Sequence, residues 1–333
     1  MENTMKAIIH TNNSVELKTI PKPVKAKPGH LLIKIDSCAI NPGDKAFIHR
    51  PLPLGAGTSL YNVYGVSGAG KVVDFGESVP SGYKEKNAAI YRSLKSSENI
   101  LGTWCEYVHV PFLDCMILPD DAEPITYSGS LVNMITPYAF IKQAAEKGHK
   151  GIISTAGTSA TGIALVGFCL AYNVPLISIV RNDAGKQELE TFGAENILVQ
   201  SDSDFKQQLK DKATELEATA IFDGVGGEIL NKIIDILPNY STIYTYGYLG
   251  LDTPFTFHTS ILNAKGLTIT SFGNFRSKTV QDPELLEKAL LEMGKVAHMP
   301  HFKTKVGQKF KLEEIDKALL FQPINGEKAI LRP

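Results

Sequence analysis

The stretch from Lys150 to Arg181, KGIISTAGTSATGIALVGFCLAYNVPLISIVR, constrains this chain more than any other. From Gly151 to Val180 it carries no charged residue for thirty positions. Asn173 and Pro175 interrupt it, so it reads as strand, helix and strand rather than as a bilayer span. Gly151 to Ser154 and Leu176 to Val180 are short apolar runs of buried-strand type, and Ile163 to Tyr172 is apolar at helical spacing. Between the first strand and the helix stand Gly157, Thr158, Ser159, Ala160 and Gly162, all small. This is a βαβ unit with a phosphate-sized turn at the start of its helix, the layout of a dinucleotide site. Small residues let the backbone approach a pyrophosphate, and the helix presents free N–H groups and the positive end of its dipole to the anion. The pattern departs from GxGxxG, because Ser159 or Ala160 stands where the middle glycine is expected. By itself such a turn also fits a tight βα connection.

The second strand ends in Arg181, followed by Asn182, with Lys186 just beyond. An NADH site usually carries an acidic residue near this point for the ribose 2′-hydroxyl. A carboxylate repels a 2′-phosphate, whereas a guanidinium can bind one through two parallel hydrogen bonds. Arg181 therefore points to NADPH, the alternative being a solvated charge at a strand end.

The 333 residues suggest two domains. With 34 basic and 35 acidic residues the charges nearly cancel, which argues against a nucleic-acid partner. Cys38, Cys105, Cys115 and Cys169 are scattered, without a CxxC pair, which fits reduced thiols in a cytoplasmic protein. The start, MENTMKAIIH, lacks a basic segment followed by an apolar one, so no secretory signal and no membrane partner are expected.

Short alternating or apolar runs at Met5 to His10, His30 to Ile35, Gly70 to Phe75 and Trp104 to Val110, separated by Pro and Gly, predict a β-rich first part. A helix is predicted over Thr126 to Ala144. From there strands and helices alternate to about residue 270, predicting a doubly wound parallel sheet. Strand, helix and strand are expected at Phe302 to Val306, Leu312 to Phe321 and Lys328 to Leu331, folding back on the first part. The expected division is a β-rich domain of residues 1–122 and 270–333 and a Rossmann domain of residues 123–269.

Several short motifs follow one another in the order of a known family. They are AINPGD (Ala39 to Asp44), GVSGAGKV (Gly65 to Val72), GTWCEYV (Gly102 to Val108), NMITPY (Asn133 to Tyr138), DGVGG (Asp223 to Gly227) and KAIL (Lys328 to Leu331). In this the chain resembles the medium-chain dehydrogenase/reductases, and more narrowly their zinc-independent quinone oxidoreductase and enoyl reductase branches. The resemblance implies an α/β protein with a GroES-like β-rich catalytic domain and a Rossmann domain. It implies hydride transfer from NADPH to a quinone or an α,β-unsaturated carbonyl, and a homodimer. Zinc-dependent relatives place Cys, His and Glu where this chain has Asn41, Val66 and Ser67, so no zinc is expected.

Without a metal, hydrogen-bond donors must stabilise charge developing on the acceptor oxygen. Asn41 is the first candidate, against the plainer role of an Asn-Pro turn residue. Thr136 would sit near the nicotinamide, bonding its carboxamide or ribose. Gly247 marks a close approach of backbone to cofactor, while Phe272 and Gly273 either line the nicotinamide pocket or simply pack. Enoyl-thioester reductases of the family carry a catalytic Tyr shortly after N-P-x-D, where this chain has Leu52. Enoyl-thioester reduction and a catalytically silent nucleotide-binding protein of the same fold remain the alternatives.

Overall fold

Short apolar or alternating runs give the N-terminal part its strands: β1 (Thr4–Thr11), β2 (Ser14–Pro21), β3 (His30–Ala39), β4 (Ser67–Phe75), β5 (Asn87–Tyr91), β6 (Tyr107–Pro111) and β7 (Cys115–Ile117), with helix α1 (Pro42–Ile48) after β3. The structure is a computed structural model that describes residues 3–333 except 12, 50–58, 93, 96, 251–252 and 323–325. The expected Tyr position at Leu52 lies outside the described residues. β1 and β2 form an antiparallel hairpin that turns through Asn13 at φ +71°. β2 is missing from the sequence expectation; of its inward residues Val15 and Leu17 are half-buried and Ile20 is buried.

Helix α2 (Ser130–Glu146) leads into strand–helix alternation: β8 (Gly151–Ser154), α3 (Ala160–Tyr172), β9 (Leu176–Val180), α4 (Asp183–Thr191), β10 (Asn196–Val199), α5 (Phe205–Glu215), β11 (Ala218–Asp223), α6 (Gly227–Ile233), β12 (Thr242–Thr245), α7 (Thr259–Lys265), β13 (Thr268–Ser271) and α8 (Lys278–Gln281). The chain ends with α9 (Pro283–Val296), β14 (Val306–Lys311), α10 (Ile315–Leu320) and β15 (Lys328–Arg332).

Two units result, Met1–Asn133 with Pro283–Pro333, and Met134–Asp282. The junctions lie later than the expected 122/123 and 269/270. The start of α2 is held in the first unit, where Gly129 N donates to Thr304 Oγ1 at 2.9 Å, and it is α9 that returns to pack on β7. The strand expected at Phe302 to Val306 is also displaced. Pro300 opens a short 3₁₀ turn through Phe302, and the strand begins only at Val306.

The first unit is built on a sheet of order β14-β15-β3-β4-β5-β7, with β6 also paired to β3. Ile8, Leu31, Ile33, Ile90 and Trp104 fill its core. Gly65 has to be glycine: its φ is +91°, and a Cβ there would stand 2.2 Å from the Trp104 ring. The second unit is a parallel sheet of order β10-β9-β8-β11-β12-β13. Chain order reverses between β8 and β11, and such folds bind ligands outside the carboxyl ends of the strands at that point. No described helix is long and apolar enough to cross a membrane.

Candidate functional site

The β8–α3 turn stands at that reversal. Ser159 caps α3: its Oγ accepts from Gly162 N at 3.0 Å and donates to Ala156 O at 2.8 Å. A Cβ on Gly162 would stand 2.2 Å from Ala156 O and 2.5 Å from Gly157 O, so only glycine fits. Gly157 N donates to Ile179 O at 3.2 Å and ties the turn to β9. Ala160 and Thr161 open the helix, where N–H groups have no intrahelical acceptor. Those two donors and the helix dipole make the turn an anion cradle.

The segment after β9 lies beside this turn. Asn182 caps α4 by accepting from Gly185 N at 3.0 Å. A Cβ on Gly185 would lie 3.2 Å from Thr158 Cγ2, so the start of α4 packs against the turn. Arg181 and Lys186 are both exposed beside this contact. The structure thus brings Gly157, Thr158, Ser159, Ala160, Gly162, Arg181 and Lys186 to one edge of the sheet.

On the other side of the reversal, the Asp223 carboxylate at the end of β11 is buried. It accepts from Thr155 Oγ1 at 2.6 Å and from the N–H groups of Val225 and Gly226 at 3.2 and 3.0 Å. Burial pushes its pKa up, against these bonds. The Thr155–Asp223 bond ties the carboxyl end of β8 to that of β11. At Gly247 the close neighbour is the Gly224 backbone, whose oxygen a Cβ would meet at 2.7 Å. Of the two expectations for Phe272, the side chain takes the packed one, buried edge-on to Phe140 and Phe222 at 5.4 and 5.8 Å. Burial of the ring's apolar area holds it in the core, and only its backbone and Gly273 stay at the strand end. Thr136 is on α2, half-buried and next to Pro137 inside the helix.

Asn41 lies in the first unit in a buried polar cluster. Its Nδ2 donates to Asp44 Oδ2 and to Ser67 Oγ, each at 2.9 Å, and its Oδ1 accepts from Lys328 Nζ at 2.5 Å. A side-chain amide has two hydrogens, and both are engaged. Asn41 therefore has no hydrogen left for an acceptor oxygen, which corrects its expected role as donor. The cluster's cation is the Lys328 ammonium, and burial lowers its pKa to about 8 while Asp44 acts in the opposite direction. Burial likewise pushes the Asp44 carboxyl up, and its Oδ1 is buried without a hydrogen-bond partner. From sequence Lys328 was legible only as part of KAIL; the available signal was a lysine opening a strand whose next three residues, Ala329 to Leu331, are apolar.

Among the described residues no group of three or more His, Cys, Asp or Glu is placed to hold a metal ion. The four cysteines are buried and unpaired.

A Rossmann-like parallel sheet with a phosphate-type turn and a β-rich unit define the fold class of the chain. Comparison with known proteins agrees. The family model described as zinc-binding dehydrogenase matches residues 160–289. A mitochondrial enoyl-[acyl-carrier-protein] reductase of Arabidopsis thaliana is 24% identical over 284 residues, covering 82% of this chain and 72% of its own length. A probable quinone oxidoreductase of Schizosaccharomyces pombe is 24% identical over 250 residues, covering 74% of this chain and 72% of its own. The structure of Escherichia coli quinone oxidoreductase complexed with NADPH superposes with a TM-score of 0.70 at 19% identity, over 99% of each chain. Over most of its length the chain is thus similar to a quinone oxidoreductase and an enoyl reductase, and its fold is that of quinone oxidoreductases.

Proposed function

We propose that this protein is an NADPH-dependent, zinc-free oxidoreductase that delivers a hydride to a quinone or an α,β-unsaturated carbonyl. The observation that carries the reading is the β8–α3 turn, closed to anything but glycine at Gly162, with the Arg181 guanidinium exposed at the end of the next strand. These residues fit the cofactor. Ala160 and Thr161 N–H would face the pyrophosphate, and Arg181 and Lys186 would face the 2′-phosphate. Thr136 would orient the carboxamide or ribose. Bound there, NADPH supplies the hydride. Asn41 then serves by holding the Lys328 ammonium, a cation in the part of the chain where zinc-dependent relatives keep their metal ligands.

The Escherichia coli neighbour, solved with NADPH, supports the cofactor, and the Schizosaccharomyces pombe relative supports a quinone acceptor. The Arabidopsis relative favours a second reading, reduction of an enoyl thioester. The exposed edge strand β13 supports a homodimer formed by sheet extension, with solution scattering as its check. Four unpaired cysteines support a reducing, cytoplasmic setting. NADPH oxidation followed at 340 nm against a panel of quinones, enones and enoyl thioesters tests the function. Turnover with at least one acceptor is expected. Binding without turnover on any of them would leave a silent nucleotide-binding protein.

A further inference from the structure

The first unit holds two histidines face to face. His30 opens β3 and His109 lies on the neighbouring β6, and their rings stack with centroids 4.7 Å apart and planes 9° from parallel. His109 is buried and His30 half-buried. Neither ring belongs to the nucleotide turn, so their chemistry is independent of the cofactor reading.

The surroundings of His109 fix its proton. The Lys27 backbone N–H donates to Nε2 at 3.1 Å, so Nε2 carries no hydrogen. The Asn99 carbonyl faces Nδ1 at 2.9 Å and can only accept, so Nδ1 carries the hydrogen. His109 is thereby neutral and held in one tautomer. A second proton, on Nε2, would stand against the Lys27 N–H and break that bond. Lys27 and Asn99 also meet through their side chains, Lys27 Nζ donating to Asn99 Oδ1. The ring thus closes the loop before β3, residues 25–29, onto the turn at Asn99.

His30 is held differently. Its Nδ1 donates to Pro28 O at 2.8 Å, and its Nε2 lies 2.7 Å from Ser97 Oγ, which itself accepts from Asn99 N at 3.2 Å. A hydroxyl can give or take a hydrogen, so the Ser97 bond survives whether His30 is neutral or charged. A proton arriving at the pair can sit on His30 with every bond kept, and on His109 only by breaking one. Burial lowers the His109 pKa, and His30 and Lys27 act in the same direction against the Asn99 bond. Of the other charged groups around the loops, Asp74 on β4 accepts from Ala26 N at 2.8 Å, and Glu98 is exposed beside Asn99.

We propose that His109 is the pin of an acid-sensitive latch, which holds the loop before β3 against the Asn99 turn while neutral and releases it when protonated. Above pH 6.5, the ordinary histidine value, the ring is neutral whether the latch is closed or open, so closure does not depend on pH. Below it, the open form binds a proton that the closed form excludes, and the latch weakens by at most about tenfold per pH unit.

Amide hydrogen exchange of the Lys27 N–H at about pH 6.5 and about pH 5.5 tests the latch. Its protection factor should fall about tenfold between them. The Ile35 N–H, bonded to Glu106 O at 3.0 Å, should keep its protection. His109→Gln retains an acceptor for Lys27 and a donor for Asn99 but cannot titrate, so its Lys27 protection should be equal at both pH values. No fall in wild type, an equal fall in the variant, or a matching fall at Ile35 would overturn the proposal. Imidazole nitrogen NMR shifts of the wild-type protein read the tautomer without relying on the variant. They should show hydrogen on Nδ1 alone at about pH 6.5, and a charged ring or hydrogen on Nε2 would also overturn it.

Discussion

Lys328 Nζ donates to Asn41 Oδ1 at 2.5 Å, which joins the last strand of the chain to the cap of α1, 287 residues away. Asp44, in the first turn of α1, accepts from both the backbone N–H and the amide of Asn41, at 2.7 and 2.9 Å. An amide is thus wedged between a carboxyl group and an ammonium, all three buried. The arrangement fixes which way Asn41 points, and it keeps a lysine in surroundings that disfavour its charge.

That burial makes stability depend on pH in a definite direction. The folded-state pKa of Lys328 is lowered from 10.5 to about 8, so between these values the unfolded chain binds this proton and the folded chain does not. Stability from this residue therefore rises as pH increases from about 8 to 10.5, by at most roughly 3 kcal/mol. Denaturant unfolding across this range should show the rise in wild type and a flatter profile in Lys328→Met. Identical profiles would mean that Lys328 is not held as described.

Arg181→Ala should weaken NADPH about tenfold and leave NADH nearly unchanged, because only the former carries the 2′-phosphate that a guanidinium binds. Titration with both nucleotides checks this. Equal loss for both would remove the phosphate role.

Gly162→Ala should destabilise the protein and abolish tight nucleotide binding. The new Cβ would meet two backbone oxygens at 2.2 and 2.5 Å, and neither can swing aside as a flexible side chain could. Overpacking of this kind costs about 1–3 kcal/mol or more, which thermal unfolding would register.

Thr155→Val should cost about 1–3 kcal/mol, since it removes the hydroxyl that donates to the buried Asp223 carboxylate at 2.6 Å. Urea unfolding measures the loss, and nucleotide affinity should fall with it because the same bond joins the ends of β8 and β11.

Dialysis against a strong chelator should leave the melting temperature and nucleotide binding unchanged. Elemental analysis giving about one zinc per chain would contradict the reading, since zinc needs three or four ligands in tetrahedral array.

Much of the second unit was readable in the chain. Apolar runs at Gly151, Leu176 and Thr242 with helical stretches between them can hardly pack except as a parallel sheet covered on both faces, and the small residues from Gly157 to Gly162 locate its turn. Arg181 was legible for the same local reason: a strand end is where it is because of the run before it. Short apolar or alternating runs also located β1, β3, β4 and β15.

The tertiary structure alone decided what depends on partners distant in sequence. No local pattern says that both hydrogens of Asn41 are taken by Asp44 and Ser67, that Lys328 arrives on its oxygen, or that Phe272 turns into a cluster with Phe140 and Phe222. Side-chain periodicity is set by neighbours three or four residues along a helix or two along a strand. A hydrogen bond's direction is set by whichever group the fold brings within about 3 Å, and that is fixed only when the strands have taken their order.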